Sequence, residues 1–295
     1  MPDKSISHNI SESPIKIVEC PRDAMQGIHE FIDTDIKINY INQLLAVGFD
    51  TIDFGSFVSP KAIPQMRDTA TVLEGLHLHD TKSKLLAIIA NARGAMDAVQ
   101  FDEISYLGYP FSISETFQIR NTNATIEESL IRVDEIQQVC ANHNKKLVIY
   151  ISMGFGNPYG DMWSVDICQQ WVDRLADMGV KIMALSDTIG IATPDSISYL
   201  FKYLIPPYPD VEFGAHLHTQ PHNWFPKIDA AYQSGCRRFD AAIKGFGGCP
   251  MAKDDLTGNM ATENVIQYFE QFNVDLHLDK SSFAKALKYT DKVFL

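Results

Sequence analysis

The chain has 295 residues, 45% of them apolar, and a formal net charge of −12. That acidic balance argues against a nucleic acid as main partner, since such binding rests on Lys and Arg at phosphates; an anionic small molecule, needing only a local basic group, is allowed. No run of about 18 apolar residues marks a membrane span, and the length suits one large domain such as an α/β barrel, which often fills about 250 residues.

Residues 1–14, MPDKSISHNISESP, are polar, lack the apolar core of a signal peptide and read as a frayed or loosely docked arm. Eight short β-branched or aliphatic runs follow: 15–19, 51–57, 85–90, 103–107, 146–152, 181–187, 212–218 and 237–243. Amphipathic segments alternate with them. Residues 35–48 keep Ile36, Ile41, Leu44 and Leu45 at helical spacing. Residues 126–143 open on Thr125 with Glu128 three positions later, a capping box. Three units share one design: a helix stops at Gly48, Gly179 or Gly235 and a strand starts a few residues on. Repeated helix–Gly–strand units with apolar strands mean a parallel sheet, and eight of them favour a closed (β/α)8 TIM barrel over an open sheet. The helical stretches 261–272 and 280–294 are additional C-terminal helices that finish the barrel and pack on its side. No Pro/Ser-rich linker breaks the chain, so 15–295 reads as a single catalytic domain.

Catalytic groups of such a barrel belong at the C-terminal ends of its strands. Arg22 and Asp23 follow the first strand, and His216 and His218 close the seventh. In a strand, residues two apart share a face, so both imidazoles point one way. After the eighth comes KGFGGCPMAKDDLTGN, with Cys249 on a Gly-rich turn, stiffened by Pro250, and Asn259 beyond. Asp23, His216, His218 and Asn259 form a mixed N/O set with open positions, suited to a divalent metal such as Mg2+ or Mn2+. The plainer alternative for HLH is a pair of packed or solvated histidines, and for the Gly-rich turn a surface turn that contains a cysteine. His77 and His79 mimic a metal pair but lie before the third strand, on the far side of the barrel. The five cysteines (Cys20, Cys140, Cys168, Cys236, Cys249) are scattered and without CxxC pairing, which reads as free thiols in a reducing, cytoplasmic compartment. Cys140 and Cys168, on helical patterns, read as packing residues, and so does Cys20 despite its place beside the Arg-Asp pair.

IVECPRDAMQ, TIDFGSFVSPKAIPQM, LSDTIGIATP, AHLH, GFGGCP and TGNMATEN resemble, in order and spacing, the 3-hydroxy-3-methylglutaryl-CoA lyase family of metal-dependent TIM-barrel enzymes, over about residues 15–270. The resemblance implies retro-Claisen cleavage of a tertiary 3-hydroxyacyl-CoA to acetyl-CoA and a keto acid such as acetoacetate. It implies metal ligation by Asp23, His216, His218 and Asn259. Arg22 is then expected at the thioester oxygen and Cys249 as a catalytic thiol, with Asp187 and Glu263 in catalytic or supporting places. An acyl-CoA substrate and a homodimer are implied as well. Ala24, Asp53, Thr219 and Asn264 stand where the family pattern has Gly, Glu, Asp and Asp. Two other functions share these features: a Claisen-condensing synthase of the same superfamily, and a binding homologue that has lost turnover.

Overall fold

The aliphatic runs become eight strands: β1 (Lys16–Glu19), β2 (Thr51–Ser56), β3 (Lys84–Ile88), β4 (Ile104–Ser112), β5 (Lys146–Ser152), β6 (Ile182–Asp187), β7 (Glu212–Leu217) and β8 (Arg238–Ala241). In the computed structural model, which describes residues 13–248 and 257–294, all are parallel and β8 closes on β1, making the TIM barrel. Residues 1–12 of the expected arm, and Cys249, lie outside the described residues. The helices are α1 (Pro21–Gln26), α2 (Thr34–Val47), α3 (Thr69–Glu74), α4 (Ala92–Ala98), α5 (Glu115–Thr122), α6 (Ile126–Asn142), α7 (Val165–Asp177), α8 (Pro194–Leu204), α9 (Trp224–Gln233), α10 (Thr262–Gln271) and α11 (Lys280–Phe294). No helix among the described residues is long and apolar enough to cross a membrane.

The expected stops and starts are built. Gly48 ends α2 in the left-handed region at φ 83°. Gly179 and Gly235, at φ 88° and 100°, turn the chain into the next strand. Thr125 and Glu128 complete a reciprocal capping box on α6. The C-terminal α11 packs on α2, with Tyr40 stacked on Tyr289 and edge-on to Phe294. One expectation needs correction: β4, expected over 103–107, runs on to Ser112 through Gly108 and Pro110.

Alternation divides each strand between the helix layer and the lumen. The large core lies between strands and helices. Inside the barrel, Leu86, Ile88, Tyr106, Val148, Tyr150, Ile182 and Ala184, all from β3 to β6, form a separate apolar cluster. The other half of the lumen, from β7 through β8 to β1 and β2, is polar: His216, Arg238, Asp240 and Asp53. A bulge between Asp53 and Gly55 shifts the register of β2 just beyond that aspartate.

Candidate metal and active site

β1 ends at Glu19, and Pro21 opens α1 at a position where a missing N–H costs nothing. Arg22 and Asp23 therefore sit in the first turn of a short helix, both buried, at the C-terminal mouth of the barrel. Asp53 accepts Nη2 of Arg22 at 2.5 Å and Nε at 3.1 Å. Nη1 donates to Asp23 Oδ1 at 3.0 Å and to Gln26 Oε1 at 2.9 Å, and Gln26 donates in turn to Asp23 Oδ1 at 2.7 Å. A guanidinium has five N–H bonds. Four are committed here, and one on Nη2 is left for a ligand. Burial pushes the Asp53 carboxyl up to about 6 against the pull of Arg22, which leaves it charged at neutral pH.

His216 faces the lumen from β7, and His218 repeats that facing just past the strand. An isolated antiparallel bridge pairs His218 with Asn259. It is made by Thr219 N–H to Gly258 O at 2.9 Å and Met260 N–H to Leu217 O at 3.0 Å. The bridge carries Asn259 to Asp23, whose Oδ2 accepts the amide Nδ2 at 2.7 Å. Gly247, at φ 98°, lies against both: a Cβ there would come within 2.7 Å of Asn259 Nδ2 and 2.8 Å of the Asp23 carbonyl. One ligand-type atom from each of Asp23, His216 and His218 lies within 4.8 Å of the others.

Whether these residues suit a metal ion can be judged from their hydrogen bonds. His216 Nδ1 meets Asp240 Oδ2 at 3.2 Å, so Nε2 is the nitrogen left for the site. His218 Nδ1 is buried without a partner, the kind of orphan that a bound ion satisfies. Burial, helped by His216, pushes His218 down to about 3, so its ring is neutral and able to donate a lone pair. Burial works against ionisation of Asp23, but Arg22, His216 and the Asn259 amide hold its carboxyl below the usual range. A second trio, Cys20, His216 and Asp240, is equally compact. There, burial and the nearby carboxylates, Asp240 foremost, raise the Cys20 thiol well above its usual value. A protonated thiol is a poor ligand, so the carboxylate–imidazole set is the one that fits a divalent cation.

The HMGL-like family model matches residues 15–289 of this chain. The chain belongs to the HMGL-like family. Rat cytoplasmic 3-hydroxy-3-methylglutaryl-CoA lyase is 34% identical over 270 residues, 89% of this chain and 77% of its own length. The Pseudomonas aeruginosa 3-hydroxy-3-isohexenylglutaryl-CoA/hydroxymethylglutaryl-CoA lyase is 31% identical over 92% of this chain and 90% of its own. Among solved structures, an HMG-CoA lyase from Acinetobacter baumannii in complex with coenzyme A and 3-methylmalate superimposes with TM-score 0.87 at 29% identity, covering 95% of this chain and 91% of that one.

Beside Arg22, Asp23 and the two histidines is a cavity of 150 Å³. Val58, Ile63, Ile88, Pro110 and Phe117 give it an apolar wall, while Arg22, Asp23, Ser152, Thr188 and the two histidines give it a polar one. Asp187, expected among the catalytic residues, does not line it. Its Oδ2 accepts Lys227 Nζ at 2.7 Å and its Oδ1 the Ala192 N–H at 2.9 Å, on the helix side of β6. Lys227 also donates to the carbonyls of His218 at 2.9 Å and Gly190 at 3.1 Å, so Asp187 reaches the site only through that ammonium. Glu263, on the first turn of α10, accepts the N–H of Lys244 at 3.0 Å. Lys244 holds φ 59° at the base of the Gly-rich turn, so Glu263 steadies the stem of that turn and does not face the cavity. His77 and His79 are exposed, away from the site. Sequence reasoning missed Gln26, Asp240 and Lys227. Gln26 had a signal, lying three and four positions after Asp23 and Arg22 on one helical face.

Proposed function

We propose that this protein is a divalent-metal-dependent carbon–carbon lyase. It cleaves 3-hydroxy-3-methylglutaryl-CoA, or a related 3-hydroxyacyl-CoA, to acetyl-CoA and a keto acid such as acetoacetate. The observation that carries the reading is the meeting of Asp23, His216 and His218, with Asn259 beside them, next to a buried arginine in an HMGL-like chain. The names of the relatives and the coenzyme A complex support an acyl-CoA substrate.

Asp23, His216, His218 and Asn259 would hold Mg2+ or Mn2+. When bound, such an ion supplies Lewis acidity that lowers the pKa of the tertiary hydroxyl and fixes the reacting carbon. Asp240 fixes the His216 ring, so that its Nε2 faces the site. Arg22, clamped by Asp53, Asp23 and Gln26, turns its one free N–H to the thioester oxygen, where negative charge grows as the acetyl enolate departs. Because the guanidinium is already ordered, little reorganisation accompanies that charge. The apolar wall from Val58 to Phe117 keeps water from the enolate. The proton that quenches it comes from the Cys249 thiol in this reading, a residue outside the described ones, and the proton given up by the hydroxyl restores that thiol, so the cleavage is proton-neutral. Asp187 and Glu263 act by positioning, the first through Lys227 and the second through Lys244. The four described cysteines are free and buried, in keeping with a reducing, cytoplasmic setting. A homodimer is the assembly state we carry forward.

The test is direct. Purified protein with Mg2+ and 3-hydroxy-3-methylglutaryl-CoA should release acetoacetate, and chelation should stop it. Activity only on a longer or unbranched 3-hydroxyacyl-CoA would move the substrate, and no cleavage of any would reject the lyase reading. Condensation of acetyl-CoA with an α-keto acid would favour the synthase instead.

A further inference from the structure

The opposite end of the barrel carries charges that the proposed chemistry does not use. Lys16, Lys84, Lys146 and Glu212 begin β1, β3, β5 and β7. The strand register places them in one layer of the lumen: each step of two strands advances two residues, the stagger of an eight-stranded barrel. The next layer inward is Thr51, Tyr106, Ile182 and Arg238 from the even strands. Layers of such barrels are ordinarily bulky aliphatic side chains. Here the two outermost hold four cations against one carboxylate, in a chain of net charge −12.

Glu212 is shared. It pairs with Lys16 and accepts Arg238 Nη1 at 3.3 Å. Arg238 is 1% exposed, yet its Nε and Nη2 have no hydrogen-bond partner. Lys84 Nζ and the Arg238 guanidinium each lie 5.8 Å from the centre of the Tyr106 ring. Among the described residues, neither Lys84 nor Lys146 forms an ion pair. The layer opens into a cleft of 880 Å³, with Lys181 and Arg237 on its rim and Asp210 as a further acid. Asp240 foremost, and Asp50 before β2, also act on Arg238. The balance stays positive, and a buried guanidinium with idle N–H bonds is costly unless something accepts them.

We propose that the N-terminal mouth of the barrel binds a small oxyanion of the phosphate or phosphomonoester class. Lys16, Lys84 and Lys146 grip it from three strands, with Arg238 one layer deeper. The tetrahedral anion offers acceptors to several ammonium groups at once and to the idle guanidinium N–H bonds. The site is a barrel's length from Asp23, so it is separate from the proposed acyl-CoA cleavage.

Inorganic phosphate is the probe. The full chain is titrated at constant ionic strength, with chloride as the balancing salt, and followed by thermal denaturation and calorimetry. Wild type should show a saturable rise in Tm, unchanged in Arg22→Gln, which lacks the guanidinium at the opposite mouth. Lys84→Gln/Lys146→Gln, at two exposed positions that leave the core intact, should weaken phosphate at least tenfold. Phosphomonoester and free phosphate arms then separate the two sources of the same chemistry by affinity. No saturable response in wild type, or an equal response in the double variant, would overturn the proposal.

Discussion

Replacing Lys227 by Met tests how far the wall of the site depends on one buried ammonium. Lys227 and Asp187 are both buried, and Nζ serves three acceptors: Asp187 Oδ2 and the carbonyls of Gly190 and His218. Methionine keeps the stem and its packing but leaves a carboxylate uncompensated. Breaking such a pair from one side costs about 3–5 kcal/mol. An unfolding entropy of about 2.1 cal/mol/K per residue gives roughly 0.6 kcal/mol/K for this chain, so a loss of about 4 kcal/mol lowers Tm by roughly 6–7 °C. The loss should depend on pH. Burial already raises the Asp187 carboxyl, with Lys227 opposing; without the lysine it rises further. An acid whose folded pKa lies above its unfolded one loses stability as pH climbs from the lower value to the higher. The deficit of Lys227→Met is therefore smallest in acid and grows toward neutrality. Lys227→Met/Asp187→Asn, which removes the stranded charge and keeps an acceptor for the Ala192 N–H, should recover most of it. Calorimetric melts of the single and double variants between pH 5 and 8 decide. A pH-independent deficit, or a double variant no better than the single, refutes the reasoning.

Asp240→Asn should weaken Mn2+ binding by about 10–100-fold with the fold intact, because an amide orients the His216 ring less firmly than a carboxylate does. Isothermal titration beside a circular-dichroism melt measures both. Asp23→Ala should weaken the metal more, and retained affinity there would remove it from the ligand set. Arg22→Lys keeps the charge but loses the fork held by Asp53; turnover should fall by about 10²-fold, with kcat falling more than KM rises. Glu19 is buried against Thr262 and the Ile243 N–H, and burial raises its carboxyl to about 8. Stability then declines between pH 5 and 8, at up to about 1.4 kcal/mol per unit, and Glu19→Gln flattens that slope in urea titrations.

The barrel was legible because its punctuation is local. Gly48, Gly179 and Gly235 must take positive φ, and each sits where a helix hands over to a strand. The fourth strand, expected over 103–107, runs on to Ser112 through Gly108 and Pro110. In the fold Gly108 is forced by packing, since a Cβ there would lie 2.5 Å from Ile88 Cδ1, and Pro110 turns toward the cavity. α1 was not anticipated, being six residues with no room for a period to show. At the site, the two histidines carried their own signal in i,i+2 spacing, while Asn259, read as an amide oxygen beyond the Gly-rich turn, reaches the site through a bridge 41 positions back to His218. Lys227 gave no sign at all: WFPKIDAA reads as an amphipathic helix with a solvated lysine. Only the fold brings Asp187 under it. Burial of a charge is decided by partners remote in sequence, which single-sequence patterns do not encode.

The division of the lumen follows from the same contest between burial and pairing. An apolar cluster on β3 to β6 supplies packing with few polar atoms, the buried and unpartnered Tyr150 hydroxyl among them. The other strands, with α1 at their mouth, hold Asp53, Arg22, Asp23, His216 and Asp240, whose charges offset one another through short contacts. Each member has at least one neighbour that fixes its orientation: Asp53 and Gln26 for Arg22, Asp240 for His216, the Asn259 amide for Asp23. His218 differs: its ring is buried, its Nδ1 has no partner, and its backbone is bridged to Asn259. Lys227 clamps the His218 carbonyl, which is why a lysine on the helix side of the wall matters to a site on its inner face.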